Sequence, residues 1–329
     1  MSTVATTPAA PPRTNVLQAL RSFPILGPLA ALILACIFFA TQSDNFLTGR
    51  NFSLVLQQVV VVGTLAIGQT LVILTGGIDL SNGMIMALSS VLMTGLFANA
   101  GIDPYAAVLL GLAVCVAFGL VNGWLHTFIG LPPFIVTLGT YSIAYSLVRI
   151  YTTATITSVP PALLFFGKTF RIGSAPITYG TVVMLLLFLV AWFVLRSTPA
   201  GRAVYAVGDN PEAARLAGIH TGRVLVAVYT IAALSYGIAG MLLVGRMEVG
   251  DPNAGQNGNL ESITAVVLGG TSLLGGRGYI MGTLVGALIV GVFRNGLQLM
   301  GIGSNYQILI TGVLVILAAS VDYLSHRGK

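Results

Sequence analysis

About ten long apolar runs recur along the chain, and this recurrence restricts its fold more than any other feature. A run of about 20 apolar residues is long enough to cross the hydrocarbon core of a bilayer as a helix. Only 7% of the residues are charged, against about 25% in a soluble domain, so lipid is the main solvent of this chain. We therefore predict an all-α fold, a polytopic membrane protein with about ten transmembrane helices. The runs are Phe23–Ala40, Leu54–Leu74, Leu80–Ala98, Tyr105–Ile129, Phe134–Tyr151, Thr178–Leu195, Val224–Gly245, Leu260–Leu274, Ile280–Met300 and Tyr306–Leu324.

The basic residues between these runs predict the orientation. Cytoplasmic loops of membrane proteins carry an excess of Lys and Arg, and ten spans place both ends of a chain on one side. With both termini cytoplasmic, the inner side holds Arg13, Arg21, Arg196, Arg202, Arg215, Arg223, Arg277, Arg327 and Lys329. The outer loops then hold only Arg50, Lys168, Arg171 and Arg246. The run Leu260–Leu274 is short, so a re-entrant segment is an alternative to a tenth full span.

Two domains follow from composition. Residues 1–22 are rich in Ala, Pro and Thr, cannot bury a core, and are predicted to be a disordered cytoplasmic tail. Residues 23–325 are predicted to form one transmembrane domain, whose first run is an uncleaved anchor. Cys36 and Cys115 both lie inside apolar runs, which indicates neither a disulfide framework nor a metal site.

The longest polar interruption, residues 196–223, contains a helix with strong signals at both ends. Asn210 is a good N-cap, Pro211 suits the first helical position, and Glu212 complements the positive end of a helix. Arg215 falls in the last turn, and Gly218 can adopt the left-handed conformation that ends a helix. On the predicted cytoplasmic side, this helix either contacts something outside the membrane or merely joins two spans.

Two apolar regions, Leu71–Ser90 and Ala265–Leu288, are interrupted in a similar way. Each has an apolar run, a Gly-Gly pair, a short polar turn and a resumed apolar helix. Matching breaks in two halves of a chain indicate an internal repeat and a substrate pathway near the breaks. The alternative is that the glycines only form tight turns or close helix packing. The glycines concerned are Gly76, Gly77, Gly269, Gly270, Gly275 and Gly276.

The polar groups inside the spans are few and mostly uncharged. Amides, hydroxyls and aromatic rings suit a neutral, hydroxyl-rich solute, whereas an ion-coupled carrier more often has carboxylates deep in its spans. The alternative is that these groups join helices, or, for Asp79 and Arg277, that they cap helices or pair with each other. The candidates for a translocation pathway or gate are Asp79, Asn82, Asn122, Tyr141, Arg294, Asn295 and Gln298.

The chain lacks the motifs of several kinds of chemistry. It has no GxxxxGK[ST] loop to hold ATP phosphates, no HExxH or Cys/His spacing for a metal, and no GxSxG nucleophile. We therefore predict that it is not an enzyme and binds no cofactor or metal of its own.

Four sequence blocks together resemble a known family. They are AIGQTLVILTGGIDLSNG (66–83), PPFIVTLGTYSI (132–143), the segment Gly201–Ile219 that ends in YAVGDNPEAARLAGI, and LGGTSLLGGRG (268–278). In this order and register the chain is similar to the permease subunit of a bacterial ABC sugar importer, of the ribose/xylose/galactoside type. It departs from the family at Asn82-Gly83, where Val-Gly is common.

The resemblance implies a multi-pass protein of the bacterial inner membrane that moves a monosaccharide, a ribose-like pentose or a hexose. The implied partners are an ABC ATPase subunit that carries ATP and Mg²⁺, a periplasmic sugar-binding protein and a second permease subunit, with no nucleic acid. The capped helix would be the cytoplasmic element that couples to the ATPase, similar to the EAA loop of importers. The coupling residues would be Asp209, Asn210, Pro211, Glu212, Ala213, Arg215 and Gly218. The alternative is a stand-alone secondary transporter of a small polar solute.

Overall fold

A computed structural model describes residues 25–327, apart from the side chains of residues 318 and 321–327. The predicted tail, residues 1–22, lies outside the described residues. Between residues 25 and 327 the chain forms thirteen α-helices, one π-helical turn and one pair of strands. The helices are α1 (Leu26–Gln42), α2 (Gly49–Leu74), α3 (Asn82–Ala100), α4 (Pro104–Trp124), α5 (Pro133–Tyr151), α6 (Pro161–Gly167), α7 (Tyr179–Ser197), α8 (Pro199–Asp209), α9 (Pro211–Leu216), α10 (Thr221–Met247), α11 (Gly258–Leu268), α12 (Ile280–Leu299) and α13 (Ser304–Arg327).

Seven helical stretches in the described chain are long and apolar enough to cross a membrane. They are α2, α3, α4 with the π-helical turn Leu125–Ile129, α5, α7, α10 and α12. Three shorter apolar helices, Leu26–Gln42, Gly258–Leu268 and Ser304–Leu317, lie in the remaining predicted runs. The prediction of a helical, multi-pass membrane protein is therefore confirmed.

The helices divide into central and peripheral ones. In the most apolar part of α2, 78% of the residues are buried, with 72% in α12 and 67% in α3, whereas only 22% are buried in α4. The long α10 packs against α2, α3 and α4, and contributes the buried side chains of Tyr229 and Tyr236 to the core. Large apolar side chains on α1, α4, α5 and α7 remain exposed, as expected for surfaces that face lipid.

Polar caps begin several of these helices. The Thr48 side chain accepts a hydrogen bond from Asn51 at the start of α2, and Thr178 does the same for Thr181 at the start of α7. Asp103 immediately precedes α4, and its side chain accepts hydrogen bonds from the backbone N–H groups of Tyr105 and Ala106. These side chains satisfy backbone donors that a helix cannot satisfy internally.

Three local features go beyond the sequence prediction. The fold is mostly helical, with one small addition: β1 (Thr169–Ile172) and β2 (Ala175–Thr178) form an antiparallel pair in a connecting loop. The apolar run Leu260–Leu274 is not helical throughout, because α11 ends at Leu268, where a glycine-rich break begins. A separate amphipathic helix, α8, precedes the capped helix and was not anticipated.

After the first break, residues 75–81, the chain re-enters the bundle as α3. Near the end of α2, the Gln69 side chain accepts a hydrogen bond from Asn82, the first residue of α3, at 2.9 Å. Gln69 lies five residues before the end of α2, so α3 begins roughly 7–8 Å inside that end. Backbone around Gly83 in turn contacts Gly255 and Gly258, so α11 also begins within the bundle.

Candidate functional site

The capped helix α9 has the ends that the sequence predicts. Asn210 Oδ1 accepts a hydrogen bond from the Ala213 backbone N–H at 2.9 Å, and Pro211 occupies the first turn. At the other end Gly218 has φ = +84°, a conformation that favours glycine. A helix of only six residues is therefore held at both ends by its own side chains and turns.

The exposed side of α9 carries an ion pair. Arg215 Nη2 lies 2.6 Å from Glu212 Oε1, and the two side chains are 64% and 65% exposed. The hydrogen bond and the positive charge of Arg215 hold the pKa of Glu212 below its ordinary value. The helix thus presents a fixed, charged surface to water.

Helix α8, which precedes α9, packs against the ends of both breaks. The Gly276 N–H donates to the Leu74 carbonyl at 2.9 Å, which joins the second break to the end of α2. A Cβ on Gly208 would overlap the Leu74 carbonyl and lie 2.6 Å from the Gly276 nitrogen. A Cβ on Gly276 would lie 2.7 Å from the Asp209 Cα. We call this contact of residues 74–76, 205–209 and 275–278 the glycine junction.

One side chain also ties α8 to the second break. The Tyr205 hydroxyl donates to the Gly278 carbonyl at 3.0 Å, and burial raises the pKa of Tyr205. Three segments that the sequence singles out separately therefore meet at one end of the bundle: the two glycine breaks and the end of α8, whose last residue is Asp209.

The glycines of the breaks serve both as turns and as close contacts. Four have positive φ, a backbone conformation that L side chains rarely adopt; they are Gly76, Gly270, Gly275 and Gly276. The other two are packed closely. A Cβ on Gly77 would lie 2.6 Å from the Tyr229 hydroxyl, and one on Gly269 would lie 2.5 Å from the Gly282 backbone.

A buried polar cluster surrounds the first break. The Asp79 carboxylate accepts from the Ser81 N–H at 2.8 Å and from the Ser81 hydroxyl at 2.5 Å. Asn122 donates to the Ser81 hydroxyl at 3.3 Å, and Asn82 donates to the Ser262 hydroxyl at 2.8 Å. Asp79, Asn82 and Asn122 are all almost fully buried. Three of the predicted pathway residues therefore lie around the start of α3: Asp79 and Asn122 share Ser81, and Asn82 has separate partners, Gln69 and Ser262.

Asp79 and Arg277 do not pair with each other, although the sequence leaves that interpretation open. Among the side chains that the structure describes, the ion pairs are Glu212–Arg215 and Glu261–Arg294. Asp79 instead accepts hydrogen bonds from Ser81, and two buried tyrosines of α10 pack nearby, Tyr229 beside Gly77 and Tyr236 beside Gly68. Sequence reasoning missed these two tyrosines, because a tyrosine in an apolar run resembles an ordinary core residue.

Tyr141 lies apart from this network but on an adjoining helix. The Thr137 hydroxyl of α5 donates to the Ile78 carbonyl in the first break at 3.1 Å. Tyr141 is four residues further on, so it lies on the same side of α5. Its ring is parallel to that of Tyr145, with centroids 6.5 Å apart.

The predicted cluster on α12 is divided among three different partners. Arg294 Nη1 lies 3.1 Å from Glu261 Oε1 on α11. Gln298 accepts from Gln58 on α2 at 3.4 Å. Asn295 is buried, and its amide exchanges two hydrogen bonds of 2.9 Å with the amide of Asn51 on α2. Asn295 thus joins helices, whereas Arg294 is open on one side; sequence reasoning missed its partner, Glu261.

Comparison with known proteins assigns the chain to a family. A family described as "Branched-chain amino acid transport system / permease component" matches residues 51–319. A fructose import permease of Rhizobium meliloti is 48% identical over 310 residues, covering 92% of this chain and 86% of the relative. A ribose import permease of Bacillus subtilis is 41% identical, covering 90% and 92%. A galactose/methyl galactoside import permease of Haemophilus influenzae is 34% identical, covering 96% and 99%.

These relatives support an import permease over a stand-alone secondary transporter, and they are transport subunits rather than enzymes. With the apolar helices, they make the chain a multi-pass protein of the inner membrane. The chain is a member of this permease family, among the sugar import permeases of bacterial ABC importers.

Proposed function

We propose that this chain imports a monosaccharide, a ribose-like pentose or a hexose, by alternating between states that open to opposite sides of the membrane. The relatives are named for fructose, ribose, galactose and allose, which supports a sugar as the solute. ATP and Mg²⁺ bind a separate ABC ATPase subunit, and this chain binds no cofactor of its own. A periplasmic binding protein delivers the sugar, and a second permease subunit completes the transporter.

The glycine junction is the observation that carries this proposal. Helix α9 presents an exposed ion pair, and α8 connects it to the end of α2 and to the second break through backbone contacts. A displacement of α9 by an ATPase would therefore be transmitted to the two broken segments, because the backbone atoms of the glycine junction are in close contact. Rigid-body motion of packed elements is a common way to switch between two states.

The residues proposed to couple to the ATPase have distinct tasks. Glu212 and Arg215 supply the exposed contact, while Asn210, Pro211 and Ala213 hold the first turn of α9. Asp209 and Gly218 flank the helix: Asp209 lies against the second break, and Gly218 ends α9 with positive φ.

The proposed topology has ten spans with both termini cytoplasmic. The seven long helices and the three shorter apolar ones are in the right order for it. At 11 residues, α11 is roughly 16 Å long, about half of the ~30 Å of hydrocarbon, so the loop before it must complete the crossing. The two segments α2–α3 and α11–α12, each interrupted by a glycine break, are the corresponding parts of the proposed internal repeat.

Charge reversal on α9 tests the coupling surface. In a permease co-expressed with its ATPase, Glu212→Lys replaces the ion pair with two like charges on the proposed contact. We expect loss of ATPase association in pull-downs, with normal membrane insertion. Glu248→Lys, at an exposed carboxylate after α10, is the matched control and should keep full association. Equal association of both variants would refute the assignment of α9 as the contact.

A further inference from the structure

A half-open ion pair lies where α11, α12 and α13 meet. Arg294 Nη1 and Glu261 Oε1 are 3.1 Å apart, and the two side chains are 51% and 21% exposed. Arg294 lies five residues before the end of α12, roughly 7–8 Å along the axis from that end. Glu261 lies in the first turn of α11, whose start packs beside Gly83 within the bundle. Arg294 is therefore carried inside an apolar helix, and Glu261 lies where the loop ending at Asn257 enters the bundle.

Lipid is an unfavourable environment for the exposed part of this ion pair. Ionisable side chains inside membranes are costly, and they face the bundle interior or a water-filled cavity. Here the pair opens into a cleft of about 180 Å³, which we call the α12 cleft. Its polar lining is Asn257, Glu261, Arg294, Ser304, Gln307 and Thr311. The remaining lining is apolar and includes the ring of Phe293.

The lining suits a neutral, hydroxyl-rich molecule. The opposite charges of Glu261 and Arg294 offset each other, while the carboxylate accepts and the guanidinium donates hydrogen bonds. A carboxylate has about four acceptor positions and a guanidinium about five donors, so the contact they share leaves capacity for neighbouring hydroxyls. The side-chain amides and hydroxyls of the cleft add further hydrogen-bond donors and acceptors. An apolar wall such as Phe293 complements the C–H face of a sugar ring.

We propose that the α12 cleft is a monosaccharide subsite on the translocation pathway, in which Glu261 and Arg294 hydrogen-bond the hydroxyls of the sugar. This inference rests on the proposed function, and it gives that pathway a location and a substrate class. Of the two charged groups, the Arg294 guanidinium is the more exposed to the cleft. An anionic sugar acid is therefore the competitor that a test must include.

Cysteine labelling in the complete complex tests whether the cleft is wet and binds sugar. Thr311→Cys, two turns into α13, is made in a Cys36→Ser background and treated in nanodiscs with a charged thiol reagent. We expect labelling, slowed about tenfold by D-fructose or D-ribose at roughly ten times its dissociation constant. D-Gluconate at the same concentration should protect poorly. Leu309→Cys, exposed on the same helix but outside the cleft, is the control and should resist the charged reagent.

A second probe and a charge-neutral variant separate binding from structure. Gln307→Cys, one turn from Thr311, repeats the measurement if the first variant fails to fold. The double variant Glu261→Gln/Arg294→Gln removes both charges together, a change that a purely structural ion pair often tolerates. We expect it to keep ATPase association but to need at least about tenfold more sugar for protection.

Three results would overturn the subsite. They are no labelling by the charged reagent at either probe, labelling without sugar protection, or full protection in the double variant. Equal protection by D-gluconate would overturn the assignment to neutral sugars. Each of these outcomes can occur in a complex that still binds its ATPase and imports sugar, whereas loss of ATPase association in the unmodified protein would refute the proposed function itself.

Discussion

The glycine junction predicts that a single methyl group at Gly208 disturbs the permease. In Gly208→Ala the new Cβ would overlap the Leu74 carbonyl and lie 2.6 Å from the Gly276 nitrogen. Both neighbours are backbone atoms, so the overlap can be relieved only if α8 moves away from the breaks. Forcing an extra carbon into a packed site typically costs about 1–3 kcal/mol.

Gly139→Ala is the matched control for this change. Gly139 lies within α5, and a Cβ there would meet nothing within 4 Å. Gly139→Ala gains helix propensity, about 0.5–1 kcal/mol, without an overlap. Gly208 is the next-to-last residue of α8, so its own gain is no larger, and a lower stability of Gly208→Ala reports the overlap. We therefore expect Gly208→Ala to be less stable than Gly139→Ala by about 1–3 kcal/mol.

Two measurements would detect this difference in stability between the variants. Thermal denaturation in nanodiscs should give Gly208→Ala a midpoint a few degrees below that of Gly139→Ala. Hydrogen exchange should be faster at the Gly276 amide, which donates to the Leu74 carbonyl, by about tenfold for each 1.4 kcal/mol. Equal midpoints and equal exchange at Gly276 in the two variants would refute the junction.

Three further predictions concern polar contacts. Asn295→Ala leaves the buried Asn51 Oδ1 without its donor, while the Asn51 Nδ2 keeps the Phe46 carbonyl, and should cost about 1–3 kcal/mol in thermal denaturation. The double variant Asn51→Ala/Asn295→Ala should recover part of this loss; a double variant no more stable than Asn295→Ala would contradict the pairing. Asn210→Ala removes the N-cap of α9 and should cost about 1 kcal/mol of helix stability. Amide hydrogen exchange within α9 should therefore be faster in this variant. In Asn210→Ser, which keeps a capping oxygen, the same amides should exchange at the normal rate. Arg215 lowers the pKa of Glu212, so the pair is intact at neutral pH and its contribution is lost as the pH falls through the lowered pKa. In Arg215→Gln, an NMR titration should show the Glu212 pKa returning upwards, and an unchanged pKa would exclude the ion pair in solution.

Features that depend on neighbouring residues could be predicted from the sequence. Most of the long apolar runs coincide with helices, because a helix satisfies every backbone group internally in a bilayer, whereas Leu260–Leu274 is helical only as far as Leu268. The ends of α9 at Asn210 and Gly218 were predicted because capping is a local interaction. The positive φ of Gly76 and Gly275 likewise follows from the turns that their glycine pairs indicate.

Features that depend on distant parts of the chain could not be predicted. Gly208 meets Leu74 and Gly276 only in the folded bundle, and nothing local to each marks the others. Glu261 lies at the start of an apolar run, and its role in an ion pair becomes visible only through its contact with Arg294, 33 residues later. The alternatives for the polar residues could be separated only by their partners: Asn295 joins two helices, whereas Arg294 borders an open cleft.

Reconstituted transport is the most direct test of the central claim that α9 couples this permease to an ATPase. Proteoliposomes would contain the permease with its ATPase and receive binding protein, ATP and labelled fructose or ribose, using either the normal chain or one with residues 209–218 replaced by Gly and Ser. We predict ATP-dependent uptake by the normal complex, and loss of both uptake and ATPase association after the replacement. Sugar uptake by the purified chain alone, driven by an ion gradient and unaffected by the replacement, would contradict the account.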